Sequence, residues 1–217
     1  MRDLCFLLSG LFLLTSCSPH FVTRGIKDKT SNYVITSDGK KITARSLSFD
    51  NNAARADSTT FRLKSISGIK DGQAYFGVKN GVIYDGVYYG KLIILQRYMG
   101  YTINYSPTNH SQTPNYSYYI QKEGQPEILD FTGKNLVESV RDNPLALRKA
   151  RSARIFSTIS ITTAATTIVG LGCVFLPYSS KIRDPAVTIG LYSLPTFLIT
   201  LPIAAHKKYK TVIVYDR

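Results

Sequence analysis

The sequence predicts an α+β chain: a small antiparallel β-sheet domain, then a helix, then a C-terminal two-helix transmembrane hairpin. Three observations carry that expectation. Over residues 32–131 a turn signal recurs roughly every ten residues, between short runs rich in β-branched and aromatic side chains. From Thr132 onward the apolar spacing lengthens, with Leu136 and Val140 one helical turn apart. Beyond Arg154, the charge-free runs 155–180 and 185–205 are each long enough to cross a bilayer as a helix, which takes about 20 residues.

The chain opens with Arg2, a mostly apolar stretch over residues 4–14, and small residues before Cys17, the layout of a secretory signal peptide. Leu14-Thr15-Ser16-Cys17 resembles the lipobox of bacterial lipoproteins. That resemblance implies cleavage after Ser16, loss of residues 1–16, and lipidation of Cys17 as the new first residue. Residues 17–31 are polar, charged or small, and are expected to form a tether. Surface-bound lipoproteins of the Bacteroidota carry an acidic stretch after that cysteine. Ser18-Pro19-His20-Phe21 has no carboxylate, so the resemblance implies a periplasm-facing protein of the cell envelope.

The β domain is expected over residues 32–142. Runs 33–36 and 41–49 flank Ser37-Asp38-Gly39-Lys40, where Asp-Gly supplies the positive φ of a hairpin turn. Within the second run the apolar set moves from Ile42 and Ala44 to Leu47 and Phe49, which predicts a bulge near Arg45-Ser46. Residues 50–57 read as a loop. Strands 59–69 and 73–79 flank Lys70-Asp71-Gly72, with Ala74, Phe76 and Val78 on one face opposite Gln73, Tyr75 and Lys79. Asn80-Gly81 and Asp85-Gly86 predict two more turns. Residues 90–98 fit either a buried strand or a short helix, and the glycines that bracket them favour the helix. Tyr101, Ile103 and Tyr105 alternate, as do Tyr116, Tyr118 and Ile120, which predicts a hairpin around a loop over residues 106–115. Residues 127–131 complete the sheet.

Thr132 is the expected N-cap of the first helix. Asp142-Asn143-Pro144 then breaks the pattern, since the residue before proline avoids the helical region while proline suits a first turn. Residues 144–217 are expected to hold a basic helix, membrane segments at about 155–177 and 185–205, a tight turn over 177–185, and a basic tail. Serines and threonines load the first segment and Gly170-Leu171-Gly172 follows. Such residues suit close packing against the second segment, or are tolerated in an ordinary spanning helix. Pro195 and Pro202 should kink the second segment without ending it.

Net charge is +13, from 27 Lys and Arg against 14 Asp and Glu. Arg148, Lys149, Arg151 and Arg154 precede the first segment, and Lys207, Lys208 and Lys210 follow the second. Such clusters anchor membrane segments at lipid headgroups, which makes membrane lipids the expected partners and not nucleic acid. The count of cations at segment ends places both outer flanks in the cytoplasm, whereas a lipidated Cys17 places the sheet outside it. The lipobox, the more specific pattern, takes precedence. A hairpin only half-inserted, or oligomeric at the outer membrane, would reconcile the two.

Catalytic chemistry has little to draw on. Of Cys5, Cys17 and Cys173, no pair remains for a disulfide and no cluster for zinc. His20, His110 and His206 have no metal-ligand spacing, and neither a phosphate-binding glycine loop nor a nucleophile elbow is present. Asp38, Asp71 and Asp85 sit in Asp-Gly pairs, and nothing in the spacing singles out Asp130 with Glu127 or Glu138 as an acid–base couple. The expectation is a non-enzyme with no metal or cofactor. The one biased feature is tyrosine, with nine of the 15 between Tyr84 and Tyr119. A face built from Tyr101, Tyr105, Tyr116 and Tyr118 is either the core of a sheet that lacks Trp or a surface for sugars or protein. Tyr119, on the opposite face from Tyr116 and Tyr118, is then the better surface candidate.

Asp57-Ser58-Thr59 resembles the O-glycosylation acceptor of exported Bacteroidota proteins. Residues 91–154 resemble an arrangement found in Bacteroidota envelope proteins without assigned chemistry. It is carried by Leu95-Gln96-Arg97-Tyr98-Met99-Gly100-Tyr101-Thr102-Ile103-Asn104-Tyr105, Tyr118-Tyr119-Ile120-Gln121-Lys122, and Leu136 to the Asp142-Asn143-Pro144 break. The resemblance implies a β-rich envelope lipoprotein and carries no active residue. The functional expectation is therefore a non-catalytic binding or scaffolding component of the envelope with a protein partner. A carbohydrate- or glycolipid-binding lipoprotein is the first alternative and a membrane-bound enzyme the second.

Overall fold

A computed structural model describes residues 31–72, 74–106, 109–172 and 180–216. The chain forms two compact units, one of strands ending at Phe131 and one of helices beginning at Thr132. The fold is α+β.

In the strand unit, eight strands form one antiparallel sheet. In chain order these are β1 (Asn32–Thr36), β2 (Lys41–Ala44), β6 (Ile66–Asp71), β7 (Ala74–Lys79), β8 (Val82–Tyr88), β9 (Leu92–Ser106), β10 (Asn109–Lys122) and β11 (Ile128–Asp130). Their spatial order is β11-β10-β9-β8-β7-β6-β1-β2. A second sheet of β3 (Leu47–Phe49), β4 (Ala53–Ala56) and β5 (Thr59–Arg62) lies in the order β3-β4-β5. Local chemistry makes the meander. At the β7–β8 turn Asn80 and Gly81 both adopt positive φ (56° and 80°), which a two-residue hairpin requires and side chains other than Asn and Gly resist.

The period-two pattern of β1 separates two cores. Tyr33 and Ile35 join Tyr75, Tyr84, Ile93, Leu95 and Ile128 on one face. Val34 faces the other way and joins Ile69, Val78, Ala54, Ala56 and Leu63, so the small sheet covers that side. The large sheet curls far enough for Lys79 Nζ, on β7, to donate to the carbonyl of Ile128 on β11 (2.8 Å). Its interior is tyrosine-rich and polar groups there are paired. Tyr75 donates to Gln121 Oε1 (2.9 Å), and Gln121 Nε2 donates to the carbonyls of Ser67 and Gln125. Burial pushes the Tyr75 hydroxyl above the usual tyrosine range.

Several expectations are corrected here. Residues 92–98 are strand, not helix: β9 pairs with both β8 and β10, and Leu92 through Leu95 are all buried. A strand covered on both faces shows a continuous apolar run, and periodicity alone does not separate it from a helix. The parity change at Arg45-Ser46 is no bulge, because the chain leaves the large sheet after Ala44 and enters the small one at Leu47. Asp57 holds that crossing, accepting from the backbone N–H groups of Arg45 and Ser46 (3.0 and 2.9 Å). Residues 53–56, expected as loop, form β4, the middle strand of the small sheet. Asp85-Gly86 is no turn either, since Asp85 pairs with Phe76 on one side and Gln96 on the other. Tyr75, expected on a polar face, is buried because both faces of β7 are covered. The β9–β10 hairpin is longer than expected, with Ser106 paired to Asn109 where a ten-residue loop was predicted.

The helical unit holds α1 (Gly133–Ser139), α2 (Pro144–Gly172) and α3 (Ser180–Tyr215). Thr132 caps α1 as expected, its hydroxyl accepting from Asn135 N–H (3.2 Å). Asn143 Oδ1 caps α2 by accepting from Leu145 and Ala146 N–H, both at 3.1 Å. Buried Leu136 of α1, Val140 just after it, and the small buried Ala146, Ala150 and Ala153 of α2 allow close packing, while Tyr215 donates to Asp142 Oδ2 (2.9 Å). α3 continues through Pro185, Pro195 and Pro202 to Tyr215. The expected turn before Pro185 is therefore helical from Ser180, and the expected basic tail is helical as well. Among the described residues α3, over Asp184–Tyr215, is the one helix long and apolar enough to cross a membrane. A two-helix transmembrane hairpin is thus reduced to one candidate span with α2 packed along it.

Candidate functional site

Between α2 and α3 lie the buried hydroxyls of Ser160, Thr167 and Thr200, while large apolar side chains are exposed along both helices, together with Thr158, Thr162 and Thr188. Ser160 Oγ donates to Thr200 Oγ1 at 2.9 Å, and Thr167 and Ser193 share a hydroxyl bond at 2.7 Å. Gly170 lies so close to α3 that a Cβ there would stand 2.6 Å from Gly190 Cα. The hydroxyls also bond back to carbonyls one turn earlier, as in Thr167 to Thr163 (2.8 Å) and Thr200 to Thr196 (2.8 Å). Facing outward, Ile161 is 70% exposed, Ile168 72% and Tyr192 78%, with Ile155, Ile189 and Ile199 exposed beside them. A water-soluble helix pair buries its large apolar side chains, and this one leaves them exposed.

That same antiparallel register brings the basic ends of the two helices together. Arg148 and Lys149 of α2 and Lys207 and Lys210 of α3 line one groove of about 640 Å³, with Ser152 and His206. Pro202 and Ile203 form its apolar part. Among the described residues no carboxylate lines it. Lys207 Nζ stands 4.9 Å from the centre of the Phe156 ring on α2, which ties the two helices where the groove begins. Arg151 and Arg154 do not join this set and lie instead beside Ile155, Thr158 and Ile159. Lys208 is half-buried and does not line the groove. Of the seven anchoring cations expected from sequence, the fold therefore gathers four.

The strand unit carries the second candidate. Tyr98, Tyr101 and Tyr116 are exposed at the outer part of the β9–β10 hairpin, with Met99 between the first two. The Tyr98 ring lies 5.2 Å from Tyr101 and 5.9 Å from Tyr116, both edge-on. Crowding by these rings, with the Tyr101 hydroxyl, pushes the Tyr98 phenol up to about 12. Tyr98 was missed because its parity differs from that of Tyr101. Gly100 has φ 122° and sits at a register shift opposite Asn115 and Tyr116, which turns both tyrosines to one face. The signal was present, since a glycine inside a strand pattern marks a bulge.

Tyr119, expected as the better surface residue, packs instead against the sheet interior, its ring 4.7 Å from Tyr84. Tyr118 is half-buried, which raises its hydroxyl pKa. Tyr105 lies in β9 and its side chain is outside the described residues, as are Ser16, Cys17 and Cys173. In Asp57-Ser58-Thr59, Ser58 and Thr59 are exposed while the Asp57 carboxylate is taken up by backbone N–H groups. Among the described residues, no three His, Cys, Asp or Glu side chains gather as a metal site would require. Compared with protein-family models, curated proteins and solved structures, the chain matches none.

Proposed function

We propose that this chain is a membrane-anchored, non-catalytic binding or scaffolding protein of the bacterial cell envelope. The observation that carries the reading is a helix pair that exposes isoleucines along both helices and holds Ser160, Thr167, Ser193, Thr200 and Gly170 at its seam. In water that surface costs about 25 cal/mol per Å² of exposed apolar area, whereas in hydrocarbon it costs nothing. α3 has 36 residues, about 54 Å of helix against roughly 30 Å of hydrocarbon, so its basic end reaches the headgroups. In this reading Cys17 is lipidated after cleavage at Ser16 and the strand unit faces the periplasm.

Separating inner from outer membranes with a labelled full-length copy tests it, together with alkaline extraction and mass spectrometry of the mature N-terminus. The chain is expected in a membrane fraction, resistant to alkali, and beginning at an acylated Cys17. Release by alkali would overturn the anchor, and an intact Met1 would overturn the lipoprotein assignment. The exposed Tyr98–Tyr101–Tyr116 cluster favours a second reading, a glycan- or glycolipid-binding protein, since tyrosine joins apolar area to a hydroxyl. Glycan arrays probed with the detergent-solubilised full chain test it, and absence of sugar binding would leave the protein-partner reading.

A further inference from the structure

We propose that the groove between the basic ends of α2 and α3 binds the phosphomonoester headgroup of a membrane lipid. The inference rests on the membrane reading above and goes beyond diffuse anchoring, because it singles out one place and one headgroup chemistry. Cations without acidic neighbours repel one another, and here the helix register gathers Arg148, Lys149, Lys207 and Lys210 in one groove whose described lining holds no carboxylate. An anion that bridges them removes that repulsion. A phosphomonoester carries about −1.5 to −2 at neutral pH and three acceptor oxygens, against a single charge on a phosphodiester. Arg148 offers a planar fork to two of those oxygens, the lysines act as point charges, and Ser152 has a hydroxyl to donate.

The rest of the cavity fits the same ligand. At about 640 Å³ it exceeds what a bare phosphate fills and lies within the range of small-molecule sites, roughly 300–1,000 Å³. Pro202 and Ile203 supply an apolar wall on α3, continuous with the helix whose outward side chains are isoleucine and leucine. A glycerol backbone and the first methylenes of an acyl chain suit that wall, while inorganic phosphate gains nothing from it. Arg151 and Arg154, equally close in sequence, lie outside the groove and serve as the internal control.

The test uses the full chain and vesicles of phosphatidylcholine doped with phosphatidic acid or with phosphatidylglycerol, matched for surface charge. Phosphatidic acid is expected to bind about tenfold more tightly, and Arg148→Gln with Lys210→Gln to abolish the preference. Arg151→Gln with Arg154→Gln should lower binding to both lipids equally and keep the preference, with circular dichroism confirming that both variants stay helical. Equal binding of the two lipids, or equal loss of preference in both variants, overturns the site while leaving the membrane anchor standing. Competition by millimolar glycerol 3-phosphate would reassign the groove to a soluble phosphate ester. Failure to enter even neutral vesicles would sink the membrane reading itself.

Discussion

The close approach at Gly170 permits a sharp test of the helix pair. In Gly170→Ala the new Cβ would stand 2.5 Å from the Ala186 carbonyl oxygen, 2.6 Å from Gly190 Cα and 2.8 Å from Gly190 N, against ordinary contacts of 3.4–4 Å. All three neighbours are backbone, so the helices must part by roughly 1 Å. Overpacking of this kind costs about 1–3 kcal/mol. The Thr167–Ser193 bond, one turn away at 2.7 Å, stretches with the separation, and such bonds contribute about 0.6 kcal/mol in membranes. Alanine returns up to about 1 kcal/mol in helix propensity, which leaves a net loss of about 1–3 kcal/mol, or roughly 5–150-fold in the folding equilibrium.

Gly172→Ala is the matched control, because no described residue stands within 4 Å of its Cβ position, so the propensity gain applies without the clash. SDS titration of the full chain in mixed micelles, followed by circular dichroism, reads both variants. Gly170→Ala should unfold at lower SDS than the parent and Gly172→Ala at the same or higher. Should Gly170→Ala prove as stable as the parent, or the two variants move together, the interface described here is wrong.

Three further outcomes follow from local geometry. Thr132→Ala removes the hydroxyl that accepts from Asn135 N–H and should cost about 1 kcal/mol in chemical denaturation, with Thr132→Ser recovering most of it. Asp50 accepts from the N–H groups of Asn52 (2.7 Å) and Ala53 (2.9 Å), which hold its carboxyl below the ordinary 3.8. Because the folded value lies below the unfolded one, that stabilisation is present above 3.8 and lost as pH falls through the lower folded value. Urea midpoints measured from pH 5 downward should therefore fall less steeply in Asp50→Asn. Ultraviolet titration of the parent should show a phenol ionising near 12, and Tyr101→Phe should bring it down by removing the neighbouring hydroxyl.

Features decided within a few residues were legible in the sequence: the Asn80-Gly81 turn, the Thr132 cap, the restart at Pro144, and an apolar stretch long enough for a membrane. Each depends on the φ range of one residue, one side chain reaching its own backbone, or the length of one run. What lay beyond those residues was decided by coverage and register. Leu92 through Leu95 form strand because both faces of the sheet are covered, and Tyr75 is buried for the same reason. Tyr98 joins Tyr101 only through the bulge at Gly100. The four-cation groove exists because Gly170 meets Gly190 and Thr167 meets Ser193, a pairing that aligns residues near 150 with residues near 206. Composition along a chain determines which segments leave water, but which side chains then face one another depends on how two surfaces interlock, and no single segment contains that information.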